Sequence, residues 1–167
     1  MSDEQDELNE PIGGNTPVDV AATKLHPPKA LLTWIVVAVV LDFFLPLATF
    51  ASELRWVGFC LVGVALGLFA WSLQTFKRVG TDVKTTTPAD NLASDGPYGI
   101  SRNPIYLAMI TLGVGLGLLL GNMWLLIGAI VFYGLITKLV IEPEEAYMER
   151  AFGDKYITYR CRVRRWV

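Results

Sequence analysis

Between Ala30 and Phe50 the chain runs for 21 residues with one charged side chain, Asp42. At about 1.5 Å per helical residue, such a run crosses a hydrocarbon core of about 30 Å. Inside lipid a lone segment satisfies its backbone N–H and C=O groups only as a helix. Leu54 to Phe76 repeats the pattern, with Arg55 at its entrance and Lys77 and Arg78 at its exit. Ile105 to Leu120 is a third block, shorter and glycine-rich, and Met123 to Ile141 a fourth. Only Gly121 and Asn122 separate these last two, which makes them an antiparallel hairpin. A chain of 167 residues that is 53% hydrophobic is too apolar for one ordinary soluble domain. The expected fold is all-α and integral to the membrane: four transmembrane helices, a short hairpin between helices three and four, and a C-terminal interfacial helix.

Three stretches follow from this division. Residues 1–28 form an acidic arm, with Asp3, Glu4, Asp6, Glu7, Glu10 and Asp19 and almost no apolar periodicity, and disorder is expected there. Residues 29–79 carry helices one and two, and 80–167 hold a loop, the hairpin, the interfacial helix and a basic tail. The N-terminus lacks a basic stretch followed by a short apolar one, so no cleavable signal peptide is expected. Cys60 and Cys161 build no disulfide framework, and His26 alone makes no metal-ligand set, so neither disulfide nor metal is expected.

Orientation follows from the basic residues. Two Lys precede helix one, one Arg lies between helices one and two, four Lys or Arg between two and three, none between three and four, and six follow helix four. The positive-inside rule then places both termini and the 77–103 loop in the cytoplasm. Asp42, a carboxylate within helix one, costs roughly 2.5 to 3.5 kcal/mol on insertion scales; with Pro46 it is expected to mark a kink or a protonated, hydrogen-bonded carboxyl. Lys138, near the other face, is expected to snorkel rather than pair with it. Gly113, Gly117 and Gly121, spaced by four, are expected to let helix backbones approach closely.

Two polar signatures fall on that one face. In Ser101-Arg102-Asn103-Pro104, Asn103 is read as an N-cap and Pro104 as the first helical residue. The free N–H groups of that turn, with Arg102, form an anion-binding corner. Beyond helix four, Pro143 is expected to end or kink the helix and to start an interfacial one. Glu144 and Glu145 would lie in its first turn and Gly153 at its stop. The two-residue hairpin returns the Glu pair to the face of Arg102. A ligand with both a carboxylate and cationic groups fits such a pair.

Gly96-Pro97-Tyr98, Ser101-Arg102-Asn103-Pro104, Tyr106 and Leu107, then Glu144-Glu145, Met148, Phe152-Gly153, Tyr156, Tyr159, Val163, Arg165 and Trp166 together resemble the isoprenylcysteine carboxyl methyltransferase family and its phospholipid methyltransferase relatives. Gly80-Thr81-Asp82-Val83 and Pro88 are similar to bacterial members. The resemblance implies a methyltransferase in the bacterial inner membrane that uses S-adenosylmethionine. It implies cofactor contacts from Tyr98, Arg102, Asn103, Pro104, Tyr106, Leu107, Glu144 and Glu145, and acceptor positioning by Arg165 and Tyr156. The implied partners are a lipophilic or lipidated acceptor and membrane lipids, not nucleic acid. Asn103 stands where many members carry His, Gly99 where many carry Arg, and Arg164 where a Pro is usual. Asn hydrogen-bonds but cannot carry charge or act as a base. A carboxylate acceptor of the prenylcysteine kind needs no general base; a phospholipid or other small amphiphile methylated on N or S is the alternative. A non-catalytic membrane module is a further alternative, under which Arg102 and the Glu pair would lie far apart.

Overall fold

The computed structural model describes residues 25–47, 52–79 and 93–167. The acidic arm up to residue 24, Gly80-Thr81-Asp82-Val83 and Pro88 lie outside the described residues. Four apolar helices alternate in direction: α1 Pro27–Phe44, α2 Leu54–Val79, α3 Pro104–Leu120 and α4 Met123–Ile136. Three helical stretches are long and apolar enough to cross a membrane, Pro27–Phe44, Leu54–Arg78 and Met123–Phe152, and the apolar Pro104–Leu120 is shorter. The protein is an all-α integral membrane protein.

Helix one is shorter than its apolar run. It stops at Phe44 rather than continuing toward Phe50, because the residue before a proline is disfavoured in helical conformation and Pro46 follows Leu45. Asp42 therefore sits in the last turn of α1, and Pro46 marks a stop instead of a kink. Lys138 forms an exposed pair with Glu142, Nζ to Oε1 2.8 Å, one turn along its own helix.

The hairpin forms as expected. Gly121 adopts the left-handed conformation (φ 72°) that closes α3, and Asn122 Oδ1 accepts the Leu125 N–H at 3.0 Å to open α4. Asn122 Nδ2 also reaches Ala38 O (3.3 Å), and Trp124 Nε1 donates to Leu45 O (2.9 Å), which moors the hairpin to the far end of α1. The glycines spaced by four do not bring backbones together as expected: Gly113 and Gly117 meet side chains, and Gly121 meets nothing within 4 Å. The close backbone approach falls to Gly115, while Gly128 of α4 joins Gly113. Gly113 and Gly128 cradle the Trp34 ring of α1, which stacks on Phe132 at 5.2 Å; Gly115 backs onto Gly58 and Val62 of α2; Gly117 admits Leu125 and Leu126.

Helix four differs most from expectation. Pro143 does not end it: the chain passes through a π turn, Thr137–Ile141, into α5, Glu142–Phe152. Pro143 has no N–H to offer the carbonyl four residues back, and the wider turn absorbs this, with the Glu142 N–H donating to Thr137 O five residues back. About 19 residues suffice for the bilayer at 1.5 Å each, so Met123–Ile141 spans and α5 projects beyond. Gly153 (φ 52°) stops α5 as expected. A second short helix, α6 (Asp154–Arg162), follows in what was read as the basic tail, so two terminal helices replace the single one expected.

Candidate functional site

The polar corner forms where α3 begins, α5 leaves the bilayer and the C-terminal segment returns. A single 3-10 turn, Gly96–Gly99, precedes α3, and Gly96 takes φ 58°, a backbone conformation open to glycine, directly against Trp71 and Thr75 of α2. This turn buries Tyr98, whose ring meets Phe76 edge-on at 4.9 Å. Tyr159 of α6 donates its hydroxyl to Tyr98 O at 2.7 Å, which docks α6 onto the turn.

Pro104 is fully buried and occupies the first turn of α3, where its missing N–H costs nothing. Asn103 does not act as the side-chain cap expected of it. Its carbonyl takes the Leu107 N–H at 2.9 Å, while its amide Nδ2 turns away to donate to Arg165 O at 3.1 Å. The reason lies in what surrounds it: the tail's backbone runs past Asn103 and supplies a carbonyl acceptor that turns its amide away from the helix N-terminus. Leu107 enters through its backbone, accepting Thr111 Oγ1 at 2.8 Å.

The two carboxylates sit in different company. Glu145 is gripped by two guanidinium groups: Arg102 Nη1 lies 3.0 Å from Oε1, and Arg165 donates Nε to Oε1 (3.1 Å) and Nη2 to Oε2 (2.6 Å). Two cations on one carboxylate leave this half of the site with a surplus positive charge. Arg102 also donates to Tyr156 Oη at 3.4 Å, and Tyr156 is buried beside Tyr159. Glu144 has no cation against it among the described contacts and accepts the Tyr106 hydroxyl at 2.8 Å. Burial pushes the Glu144 carboxyl up to about 7; the Tyr106 hydrogen bond opposes this and the neighbouring Glu145 adds to it. Burial, with Tyr159 and Glu144 nearby, also raises the Tyr98 phenol and keeps it protonated.

The structure thus brings together Tyr98, Arg102, Asn103, Pro104, Tyr106, Glu144, Glu145, Tyr156 and Arg165, and leaves the Leu107 side chain without a bond to the cluster. Arg165, expected at the acceptor, is committed to Glu145. The contact between Arg102 and Glu145 is the opposite of what a module with separated signatures requires. Ser101 and Tyr159 were not singled out as site residues, yet Ser101 Oγ donates to Arg165 O (3.2 Å) and Tyr159 anchors the turn. Nothing in the local sequence announces either bond, because each joins residues more than 60 positions apart.

Two buried polar atoms in this corner lack a protein partner among the described residues: Tyr98 Oη and Arg102 Nε. Buried donors are ordinarily satisfied, so these two are available to a ligand. A ligand bearing a carboxylate and hydroxyl or cationic groups fits this donor set beside Glu144.

Residues 54–155, more than half of the chain, match the phospholipid methyltransferase family. The chain belongs to that family. This phospholipid methyltransferase family member is 38% identical over 63 residues to an uncharacterized protein of Haemophilus influenzae, covering 38% of this chain and 100% of that protein. It is also 36% identical over 75 residues to the protein-S-isoprenylcysteine O-methyltransferase of Schizosaccharomyces pombe, covering 43% of this chain but 30% of the yeast protein. No solved structure matches significantly. The family match includes Arg102, Tyr106, Glu144 and Glu145 and stops before Tyr156 and Arg165. A membrane methyltransferase therefore completes its polar cluster with a tail that lies outside the matched segment.

Proposed function

We propose that this member of the phospholipid methyltransferase family transfers a methyl group from S-adenosylmethionine to a lipophilic acceptor, with the site on the cytoplasmic face of a bacterial inner membrane. The observation that carries the proposal is the split polar cluster, a cation-rich half at Glu145 and a free carboxyl at Glu144, flanked by the unpartnered Tyr98 Oη and Arg102 Nε. The distribution of basic residues supports the orientation.

The N–H groups of Ser101, Arg102 and Asn103 are all bonded within the protein, so in this reading Arg102 Nε takes the donor's carboxylate, while Glu144 and the Tyr106 and Tyr98 hydroxyls hold its cationic and hydroxyl groups. Bound there, S-adenosylmethionine would supply an electrophilic methyl on a sulfonium for transfer to an acceptor lone pair, the electron pair of the C–S bond staying with sulfur. The protein aligns the two partners and keeps water scarce, which shrinks the solvent reorganisation that loss of charge would otherwise demand. A cleft of about 640 Å³ between α1 and α4, walled by Trp34, Val37, Trp124, Ile127 and Phe132, would hold the acceptor's hydrocarbon chain. Each buried CH₂ favours that apolar setting by roughly 0.8 kcal/mol. His26 and Lys29 also line the cleft.

The leading acceptor is a carboxylate of the prenylcysteine kind, which needs no base. Glu144 favours a second reading, methylation of a lipid amine: a partly buried carboxyl raised to about 7 can take the proton an ammonium must shed. Incubating membranes with labelled donor separates the two, since an ester loses its label in base and a methylated amine keeps it. Titration calorimetry on detergent-purified protein tests the proposal as a whole, and absence of S-adenosylmethionine binding would sink it.

The Glu144 carboxyl adds a pH prediction. Its folded value of about 7 lies above the ordinary 4.5, so between those values the folded chain holds more protons than the unfolded one. Its contribution to stability therefore declines as pH rises through that window. A cationic ligand group favours the ionised form, so donor binding near pH 6.5 is expected to release up to about one proton. Heats measured in two buffers of different ionisation enthalpy read this directly. Glu144→Gln is expected to abolish the buffer dependence, and a wild-type titration with no buffer dependence would contradict the assignment.

A further inference from the structure

The last five residues cross the polar end of the bundle as a strap. Val163 is buried with extended backbone (φ −114°, ψ 131°), and the Trp166 ring lies against Tyr133 with centroids 5.1 Å apart. Three hydrogen bonds fasten the strap to the start of α3. The Arg102 N–H donates to Arg164 O (2.9 Å), while Ser101 Oγ (3.2 Å) and Asn103 Nδ2 (3.1 Å) both donate to Arg165 O. The carbonyl of Arg165 is thus fixed by two side chains, and the guanidinium of the same residue closes on Glu145 with two bonds.

We infer that Asn103 is a positioning residue that acts through Arg165 on Glu145, and not a ligand of the methyl donor. Asn103 is buried, and its amide nitrogen is aimed at the Arg165 carbonyl, to which it donates. What the position requires is a donor aimed at a backbone oxygen. A neutral imidazole supplies one, whereas an aspartate at neutral pH offers only acceptors and repels the carbonyl. Fastening the carbonyl orients the Arg165 side chain, and this bidentate grip supplies the second cation on Glu145. That second cation reduces the demand of Glu145 on Arg102, whose Nε stays free for a ligand.

The strap assignment stands on geometry alone, while its consequence for the donor rests on the function proposed above. The test separates them. Hydrogen exchange on the full chain in detergent, without ligand, is expected to show the Arg102 amide, which donates to the strap, and the Val163 amide at its start exchanging at least tenfold faster in Asn103→Asp. Asn103→His is expected to stay within about twofold of wild type. Ser101→Ala, which removes the other donor to the same carbonyl together with the acceptor of the Asn103 N–H, is expected to fall between them, and it supplies the measurement should Asn103→Asp fail to fold. In calorimetry, Asn103→Asp is expected to weaken S-adenosylmethionine binding about tenfold, and to add less than twofold once Arg165 is alanine. Wild-type exchange in the strap of a folded Asn103→Asp would overturn the inference, as would weakening that adds in full to Arg165→Ala. If the wild type binds no S-adenosylmethionine, the proposed function fails, and the exchange data still decide whether Asn103 holds the strap.

Discussion

Glu145→Ala is expected to abolish S-adenosylmethionine binding and to destabilise the protein by about 3 to 5 kcal/mol, the cost of stripping the partner from a buried charge. The stripped charge is Arg102, whose side chain is 11% exposed and whose Nη1 meets Glu145 at 3.0 Å. Arg165→Ala is expected to cost less. Its side chain is 34% exposed, and Glu145 keeps Arg102 when it is gone. Glu145→Gln should fall between, since it keeps the shape and one acceptor while losing the charge. Thermal unfolding in detergent together with calorimetric titration orders the three variants. A melting point for Glu145→Ala at or above that of Arg165→Ala would show that Glu145 is not the centre of the cluster.

Gly58→Ala is expected to have the largest effect within the membrane, with a loss of about 3 kcal/mol, the upper end for overpacking. A Cβ there meets the backbone nitrogen of Leu119 and lies 2.7 Å from Gly115 O. Both neighbours are helical backbone, so neither can rotate aside. In lipid, α2 and α3 gain little from apolar burial and depend on this close approach, which small residues permit. Gly63→Ala and Gly67→Ala on the same helix are the controls, because a Cβ at either meets nothing within 4 Å. Unfolding of the three variants in one detergent should leave both controls near wild type. A Gly58→Ala protein that melts with them would show that α2 and α3 do not touch through backbone.

How much of this was legible depended on range. The four apolar blocks, the Gly121-Asn122 hairpin and the stop at Gly153 were readable because each depends on residues within a few positions. The ends of helices were read less well. Apolar character continued to Phe50, but Pro46 set the end of α1 by removing a donor and restricting Leu45. Pro143 is expected to end or kink helix four, and of the two it does not end it: a π turn carries α4 into α5, an adjustment that needs only a shift in hydrogen-bond partner and leaves no trace in composition. Asn103 was a sound N-cap by residue type, and a carbonyl 62 positions away claimed its side chain instead.

The sequence by itself determined that this is a membrane-spanning all-α protein and that Arg102 and the Glu pair share one face. Length, apolar runs and a two-residue turn are local quantities, and a bilayer converts them into topology with little freedom. The tertiary structure alone decided how the two glutamates differ. Glu145 became the hub of two arginines and Glu144 the uncompensated carboxyl, because the strap brings Arg165 to one and the first turn of α3 brings Tyr106 to the other. Adjacent residues of one type acquire different chemistry from their neighbours in space, and those neighbours arrive from 20 and 38 positions away.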